Sequence, residues 1–226
     1  MFANRSDAGR RLANELLSHP LIRQRSPAGL HVLSIPRGGV VVGQALADVL
    51  RCAHDVIVVR KIGCPGQEEF AVGAIAEDGR IALNAHVARA LRLTMDDLMP
   101  QIEQVRARVA DYVQRFRQGA PLNVTGKVAI LTDDGIATGE TVKAALAWLR
   151  GQSRDAAPAA TIVAVPVCPP DTARELTELC DALVCLLMPR RFGAVGQFYD
   201  EFEQVDDVQV RHILNSARGA AADRPS

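Results

Sequence analysis

Two adjacent carboxylates, Asp133 and Asp134, stand directly before a stretch rich in glycine and threonine, in the segment ILTDDGIATGETVKAAL (residues 130–146). The apolar residues before the pair predict a buried strand, and those after Thr141 predict a helix. The backbone N–H groups of such a loop, together with the helix N-terminus, favour an anion such as phosphate. Carboxylates repel an anion but accept hydrogen bonds from vicinal hydroxyls or hold Mg²⁺. A ribose 5-phosphate unit has both kinds of group, so the segment predicts a sugar phosphate site.

The residues of this loop divide between the two halves of that ligand. Asp133 and Asp134 are predicted to hold the ribose hydroxyls and to be the ligands of Mg²⁺. Glycines allow a close backbone approach, and threonine hydroxyls add donors for the phosphate. The segment is not a Walker loop, because the lysine of that motif is missing. The predicted phosphate loop comprises Gly135, Ala137, Thr138, Gly139, Glu140 and Thr141.

A second anion site is predicted at Arg37, Gly38 and Gly39, which follow the apolar segment HVLSI (31–35). The two glycines allow a close approach, and Arg37 supplies a charge-assisted donor. The alternative is a plain tight turn with a solvated arginine. Arg60 and Lys61 follow another apolar segment and would neutralise part of an anionic ligand, with Lys61 the preferred contact. A solvated surface charge is the alternative for one of these two cations.

Both loops require a parallel sheet to bring them together, since the carboxyl ends of parallel strands meet at one edge. Short apolar segments separated by helical patterns predict such a sheet with crossover helices. An Asp78-Gly79 turn predicts a β-hairpin, and an apolar stripe over residues 97–117 predicts a long helix. The predicted parallel strands are HVLSI (31–35), DVIVV (55–59), KVAIL (127–131), ATIVAVPV (160–167) and ALVCLLM (182–188).

Length and composition indicate one globular domain. The 226 residues are 48% hydrophobic and contain no convincing linker, so we predict a single domain over residues 1–226. The formal net charge of zero argues against a dedicated nucleic-acid protein. The N-terminal segment predicts an amphipathic helix, not a signal peptide or membrane span. Five cysteines without CxxC spacing predict buried, reduced thiols in a cytoplasmic protein and argue against zinc.

The stretch ILTDDGIATGET closely resembles the phosphoribosyl pyrophosphate (PRPP) signature of phosphoribosyltransferases, in which two acidic residues precede a Thr-Gly-x-Thr loop. The resemblance to a bacterial family of predicted phosphoribosyltransferases extends over nearly the whole chain, short of the tail. It implies an α/β fold: a parallel-sheet phosphoribosyltransferase fold with helices on both faces and a small hood from terminal segments. The hood is expected at about residues 189–216 with the N-terminal helix, and residues 217–226 are expected to fray. The other similar segments are FANRSDAGRRLA, IPRGGVVVG, VVRKIGCPGQEEFAVGAIAEDG and FYDEFEQVDDVQV.

The resemblance also implies an activity: Mg²⁺-dependent pentosyl transfer, by a glycosyltransferase of nucleotide salvage, from PRPP to a nitrogen nucleophile with release of pyrophosphate. It assigns pyrophosphate to the Arg37–Gly39 turn, often of unusual peptide geometry in this family, and to Lys61 and Arg60. Residues 62–70 are expected to form a mobile loop that closes over the site to exclude water. Glu68 or Glu69 is a candidate base on the nucleophile, with solvated loop carboxylates as the alternative. Similar proteins are usually dimers, so a homodimer is expected.

The acceptor is expected to bind in the hood segment RRFGAVGQFYDEF. Phe192, Phe198 and Tyr199 there could stack on a planar base, or could simply pack the hood onto the core. Hypoxanthine–guanine enzymes usually carry an aspartate where this chain has Ala137, so a 6-oxopurine is less favoured. A nucleobase is the expected acceptor, while amines stay open. The alternative function is a PRPP- or nucleotide-sensing regulatory protein without turnover, which needs the phosphate loop but not a closing loop.

Overall fold

The computed structural model describes residues 1–222, with every side chain among them except those of residues 68, 69, 82, 85, 86 and 219–222. The strands are β1 (Leu30–Ser34), β2 (Ala53–Val56), β3 (Val59–Cys64), β4 (Gln67–Ala76), β5 (Ile81–Leu83), β6 (Val128–Thr132), β7 (Ala160–Val167) and β8 (Ala182–Leu187). The helices are α1 (Arg5–Leu17), α2 (Pro20–Arg23), α3 (Gly38–Leu50), α4 (Ala85–Ala90), α5 (Met95–Arg117), α6 (Glu140–Arg150), α7 (Pro170–Thr177) and α8 (Asp207–Ala222).

Five strands form a parallel sheet in the order β2-β1-β6-β7-β8. Every residue of β1 and β6 is buried, because helices cover both faces of the sheet. Alternate side chains of one strand enter different core clusters: Leu131 packs with residues of α6 and α7, and Ile130 packs with residues of α1 and α3. The predicted α/β architecture is therefore confirmed.

The predicted strand 55–59 is wrong in one respect, because two strands share it. β2 ends at Val56 in the parallel sheet, and β3 begins at Val59 in a separate antiparallel sheet with β4 and β5. The apolar run could not reveal this break, since a continuous buried run is compatible with either sheet. As a result, Arg60 and Lys61 leave the parallel sheet and lie on the first strand of the antiparallel one.

The hairpin between β4 and β5 forms as predicted, with Gly79 at a φ of 80° in its turn. Residues 62–70, expected as an irregular loop, instead belong largely to β3 and β4. The turn between β3 and β4 is at Pro65 and Gly66, and Gly66 has a φ of 77°, which glycine adopts without strain. Antiparallel pairing satisfies backbone groups that a loop would leave to solvent, which explains the difference.

The two ends of the chain meet beside the parallel sheet. Phe2 forms a bridge with Tyr199, and its N–H donates to the Phe198 carbonyl at 2.9 Å. Helix α8 buries Val210 and Leu214 in the cluster that also contains residues of α5. It continues to Ala222, past residue 217 where fraying was expected, and residues 223–226 lie outside the described part.

The 23-residue helix α5 is amphipathic. Leu98 and Ile102 are buried on its inner face, and a reciprocal pair of hydrogen bonds between Thr94 and Asp97 caps its first turn. Within residues 1–222, no helix is both long enough and apolar enough to cross a lipid bilayer. The position of α5 beside β3 brings Tyr112 to the site described below.

A chain of polar side chains runs from the surface of α3 to buried residues of the parallel sheet. Gln44 Nε2 donates to Asp48 Oδ1 at 2.8 Å, which orients the amide so that its oxygen faces His54. His54 Nδ1 therefore donates to Gln44 Oε1 at 2.9 Å, and Nε2 accepts from the Ser34 hydroxyl at 2.8 Å. Burial lowers the pKa of His54 to about 3, so the imidazole is neutral.

We expect His54→Gln to reduce the acid sensitivity of the fold. The pKa of His54 is about 3 in the folded protein against the ordinary 6.5, so below that ordinary pKa only the unfolded chain binds this proton. The stability contribution is thus present above pH 6.5 and falls by about 1.4 kcal/mol per pH unit as the pH drops towards the folded pKa. The free energy of unfolding should be measured by urea titration at several pH values. Between the two pKa values, its slope against pH should be smaller in the variant by the equivalent of one bound proton, about 1.4 kcal/mol per pH unit. An equal pH dependence of the unfolding free energy in wild type and His54→Gln would contradict the assignment.

Candidate functional site

The two predicted ligand loops touch each other at the carboxyl edge of the sheet. Asp133 and Asp134 follow β6, and Gly38 and Gly39 begin α3 just after the neighbouring strand β1. The Gly39 N–H donates to the Asp133 carboxylate, as does the Asp134 N–H at 2.8 Å. A Cβ on Gly38 would collide with the Asp134 carboxylate, and one on Gly39 would lie 2.9 Å from Asp133 Cα. The close approach therefore requires glycine at both positions.

The Asp133 and Asp134 carboxylates are electrostatically unfavourable without a ligand. Burial and the neighbouring Asp134 charge raise the pKa of Asp133 well above its usual range. Burial also raises the pKa of Asp134, while the Arg5 guanidinium opposes that rise. A ligand that offers hydroxyl donors or a cation would remove this penalty, so the pair is suited to bind one.

The loop after the carboxylates is shaped for an anion. Gly139 adopts the left-handed conformation with a φ of 76° directly before α6, whose first N–H groups are open to a ligand. The Thr172 hydroxyl donates to the Ala137 carbonyl at 2.9 Å, which fixes the loop against α7. Thr138 is exposed and Thr141 is half-buried, so both hydroxyls can reach a bound phosphate. Glu140 instead accepts from Lys143 Nζ at 2.9 Å, as part of a surface ion-pair network.

A cationic cavity of about 470 Å³ lies beside Gly38. Three arginines, Arg5, Arg37 and Arg60, belong to its wall. The Arg60 guanidinium lies 4.2 Å from the centroid of the Tyr112 ring, which holds it in place. The peptide between Pro36 and Arg37 is cis. The remaining residues of the wall are Pro36, Gly38, Tyr112, Phe202, Glu203, Gln204 and Val205.

Lys61 does not line this cavity. Successive side chains of a strand point to opposite faces, so the side chains of Arg60 and Lys61 lie on opposite faces of β3. Lys61 is exposed, whereas Arg60 faces Tyr112 at the cavity wall. The structure thus brings Arg60 to the site and not Lys61, the reverse of the expected preference. Which of the two side chains faces the cavity depends on the orientation of β3. The continuous apolar run does not indicate that a new strand begins at Val59, so the sequence did not predict this orientation.

Arg5 is a site residue that the sequence analysis missed. Its Nε donates to Asp134 Oδ2 at 2.8 Å, and Nη1 donates to the Glu203 carbonyl at 2.7 Å. Its guanidinium also lies 3.7 Å from the centroid of Phe202. In the sequence, Arg5 resembles Arg10 and Arg11 on the same amphipathic helix. Only its place as the first helical residue distinguishes it, and that signal does not indicate a binding role.

The hood aromatics have different environments. Tyr199 is only 5% exposed, and its hydroxyl donates to the Asp134 carbonyl at 2.5 Å. Its ring packs between Phe2 and Phe202, with centroid distances of 5.3 and 5.0 Å. Tyr199 therefore fastens the hood to the aspartate loop and offers no open face for stacking. Phe192 and Phe198 are half-buried and pack on each other, with ring centroids 5.4 Å apart, so their acceptor role stays a prediction beside the alternative of hood packing.

Two predictions concern groups that the structure does not describe. The side chains of Glu68 and Glu69 lie outside the described residues, so their role as a base stays a prediction. Among the described side chains, no cluster of three or more His, Cys, Asp or Glu residues could hold a metal. Mg²⁺ commonly uses one or two carboxylates together with substrate phosphates and water. The Asp133–Asp134 pair has the carboxylates that this pattern needs, and Mg²⁺ binding stays a prediction.

Sequence comparisons relate this chain to known proteins. Residues 3–172 match the sequence profile described as a phosphoribosyl transferase domain. Proteins of two Mycobacterium tuberculosis strains (CDC 1551 / Oshkosh and H37Rv), each named provisionally as a phosphoribosyl transferase, are 39% identical over 239 residues. The match covers 100% of this chain and 51% of theirs, so the chain spans about half the length of these curated relatives.

Solved structures share the fold. The crystal structure of TT1426 from Thermus thermophilus has a TM-score of 0.79 and 34% identity, over 95% of this chain and 98% of that one. The AQ2163 protein from Aquifex aeolicus has a TM-score of 0.51 and 13% identity, over 85% of this chain and 78% of that one. The second likeness concerns the fold alone.

Proposed function

The chain belongs to the phosphoribosyltransferase family, and from that premise we propose that it transfers the ribose 5-phosphate unit of PRPP to a nitrogen nucleophile. The nucleophile is a nucleobase in this proposal, and pyrophosphate is released with the help of Mg²⁺. The observation that carries the proposal is the direct contact between the Asp133–Asp134 pair and the Gly38–Gly39 turn. A ribose on the carboxylates would thereby place its C1 substituent beside the cationic cavity.

In the proposed pose, each part of PRPP faces groups suited to bind it. Its 5-phosphate would bind the loop at Thr138–Thr141 and the N-terminus of α6. The 2- and 3-hydroxyls would donate to Asp133 and Asp134, and the pyrophosphate would enter the cavity with Arg37 and Arg60. The strand order supports the same orientation, because β6 and β1 are neighbours and the loops that follow them would therefore lie beside successive parts of one ligand.

In the transfer, the lone pair of the acceptor nitrogen forms a bond to C1 while the bond from C1 to the pyrophosphate oxygen breaks. The electron pair of that bond leaves with pyrophosphate, and the proton of the nucleophile passes to a base, for which Glu68 or Glu69 is the candidate. Arg37 and Arg60 stabilise the charge that develops on the leaving group. Mg²⁺, held by Asp133 and Asp134 with the ligand, would neutralise part of the same charge. Holding the reactants in place contributes the rest of the acceleration.

Acceptor binding is proposed in the hood beside the aspartate loop. Gly135 lies under the hood, since a Cβ there would come within 2.5 Å of Val195 Cγ1. Phe192 and Phe198 flank this region in sequence and offer partly exposed rings. Ala137 gives no carboxylate for a purine N7, which favours acceptors other than 6-oxopurines. A cytoplasmic location and a homodimer complete the proposal, by analogy with similar proteins.

We expect pyrophosphate release from PRPP and Mg²⁺ when the correct acceptor is supplied. The measurement is an enzyme-coupled pyrophosphate assay across purine bases, pyrimidine bases and small amines, with calorimetric titration of PRPP in parallel. Release with one class of acceptor, absent from the Asp133→Asn/Asp134→Asn variant, would support a transferase and identify its substrate class. PRPP binding without release for any acceptor would favour the sensing function instead. Absence of PRPP binding would overturn the proposed site.

A further inference from the structure

The N-terminal helix places a guanidinium at the junction of the two ligand loops. Arg5 Nε lies 2.8 Å from Asp134 Oδ2 and within 3.0 Å of the position that a Cβ on Gly38 would occupy. Asp134 belongs to the proposed ribose site, and Gly38 belongs to the proposed pyrophosphate turn. In the proposed pose, the bond that breaks in the transfer lies between these two groups, so Arg5 is beside it.

Arg5 retains donors for a ligand. A guanidinium has five N–H groups, and within the described residues the protein engages Nε and one N–H of Nη1. The side chain is also part of the wall of the 470 Å³ cavity, together with Arg37 and Arg60. Its remaining N–H groups can therefore reach an anion in that cavity. Stacking on Phe202 limits the rotation of the guanidinium and so reduces the entropy lost on binding.

We infer that Arg5 is a further pyrophosphate-binding residue, held by Asp134 in the free protein and engaged by the pyrophosphate of PRPP in the complex. This inference rests on the proposed function. It assigns the N-terminal helix a direct part in the site, beyond packing against the sheet. It also explains why a charged residue is buried at the first position of that helix with an exposure of only 9%.

A consequence is that PRPP binding and hood position are coupled. The Nη1 group of Arg5 donates to the carbonyl of Glu203, and Phe202 lies against the same guanidinium. The ribose hydroxyls compete with Arg5 for Asp134, so the guanidinium is redirected towards the cavity when the ribose arrives. The hood segment that holds Arg5 must then adjust with it. An inorganic anion alone leaves Asp134 with Arg5 and so requires no such adjustment.

The test compares ligands with and without pyrophosphate. We expect Arg5→Ala to weaken PRPP binding about 10- to 100-fold, because one or two charge-assisted hydrogen bonds are lost. Affinity for inorganic pyrophosphate should fall similarly, whereas affinity for ribose 5-phosphate should not fall, because that ligand does not reach the cavity and its hydroxyls no longer compete with Arg5 for Asp134. Calorimetric titration of each ligand against the full chain supplies the three values. Arg5→Lys should recover part of the PRPP affinity, since it restores the charge but not the planar fork.

A matched control comes from the same helix. Arg10→Ala removes an equal charge from an exposed position that does not line this cavity, and it should leave all three affinities unchanged. If Arg5→Ala does not fold, Phe202→Leu serves in its place. Loss of the ring against Arg5 should weaken PRPP binding about 2- to 5-fold.

The outcomes separate the inference from the function on which it rests. Wild-type protein that binds no PRPP would overturn both. Wild-type binding together with unchanged PRPP affinity in Arg5→Ala would overturn the inference alone. Equal losses for PRPP and ribose 5-phosphate would also overturn it, because that pattern belongs to a residue that only maintains the fold. A selective loss for the two pyrophosphate-containing ligands would support it.

Discussion

Replacing both Asp133 and Asp134 by asparagine should weaken PRPP binding by about a thousand-fold, which would nearly abolish it at practical concentrations. Asparagine has the same shape but cannot supply two anionic acceptors to the ribose hydroxyls or hold Mg²⁺ equally well. The loss combines two charge-assisted interactions, each of which contributes about 1.5–3 kcal/mol. Calorimetric titration of PRPP with Mg²⁺ is the measurement. Retention of wild-type affinity would show that the ribose does not bind here.

A companion single variant tests whether this loss could come from unfolding. The raised pKa of Asp133 means that its ionised form destabilises the ligand-free protein, and the penalty is relieved as the pH falls through that raised pKa. Asp133→Asn keeps the neutral form at every pH, so its melting temperature at neutral pH should rise by about 2 °C or more without ligand. Asp171→Asn, at a side chain that is 87% exposed, should change neither stability nor binding.

Substitution of Gly38 by alanine should weaken PRPP binding by at least about 100-fold, since it displaces groups that contact both halves of the ligand. The new Cβ would overlap the Asp134 carboxylate and press on Arg5 Nε. Because backbone and side chains are closely packed here, the overlap can be relieved only if Asp134 or the turn moves. The expected cost to folding is about 1–3 kcal/mol, so the variant can be titrated as a folded protein.

Gly29→Ala is the matched control for this substitution. Its Cβ would meet no atom closer than 3.9 Å, and the residue lies before β1, away from the ligand loops. Titration of PRPP into both variants, with a melting curve for each, separates loss of binding from loss of stability. An affinity for Gly38→Ala within about 3-fold of the wild type would contradict the proposed arrangement.

The aspartate loop could be predicted because its chemistry is local. Asp133, Asp134, Gly139 and the threonines lie within nine residues, so one strand–loop–helix unit positions all of them. The apolar runs likewise predicted the parallel sheet, and its carboxyl edge then brought the Arg37–Gly39 turn to the same place. Short-range patterns were sufficient wherever one element carries the whole feature.

Predictions were less successful where one apolar run is divided between two strands, or where a residue distant in sequence packs against the predicted site. The run from residue 55 to 59 is apolar throughout after its first residue, and only the pairing of β3 with β4 ends the parallel strand at Val56. That break determines which of Arg60 and Lys61 faces the cavity. For Tyr199 the sequence left open whether the ring stacks on an acceptor or packs the hood onto the core. The approach of Phe2 from the other end of the chain buries the ring and decides for packing.

By itself, the sequence determined the fold class and the position of the two predicted ligand loops, because alternating apolar runs and closely spaced polar residues are encoded within single segments. The family followed from the resemblance of its motifs. Only the tertiary structure decided that Arg5 joins Asp134, that Arg60 replaces Lys61 at the cavity, and that Tyr199 supports the loop. Arg5 and Asp134 are 129 positions apart, and their pairing depends on how α1 packs beside the sheet. No local pattern carries that information, since the free energy of such a contact arises only when the separate elements have packed together.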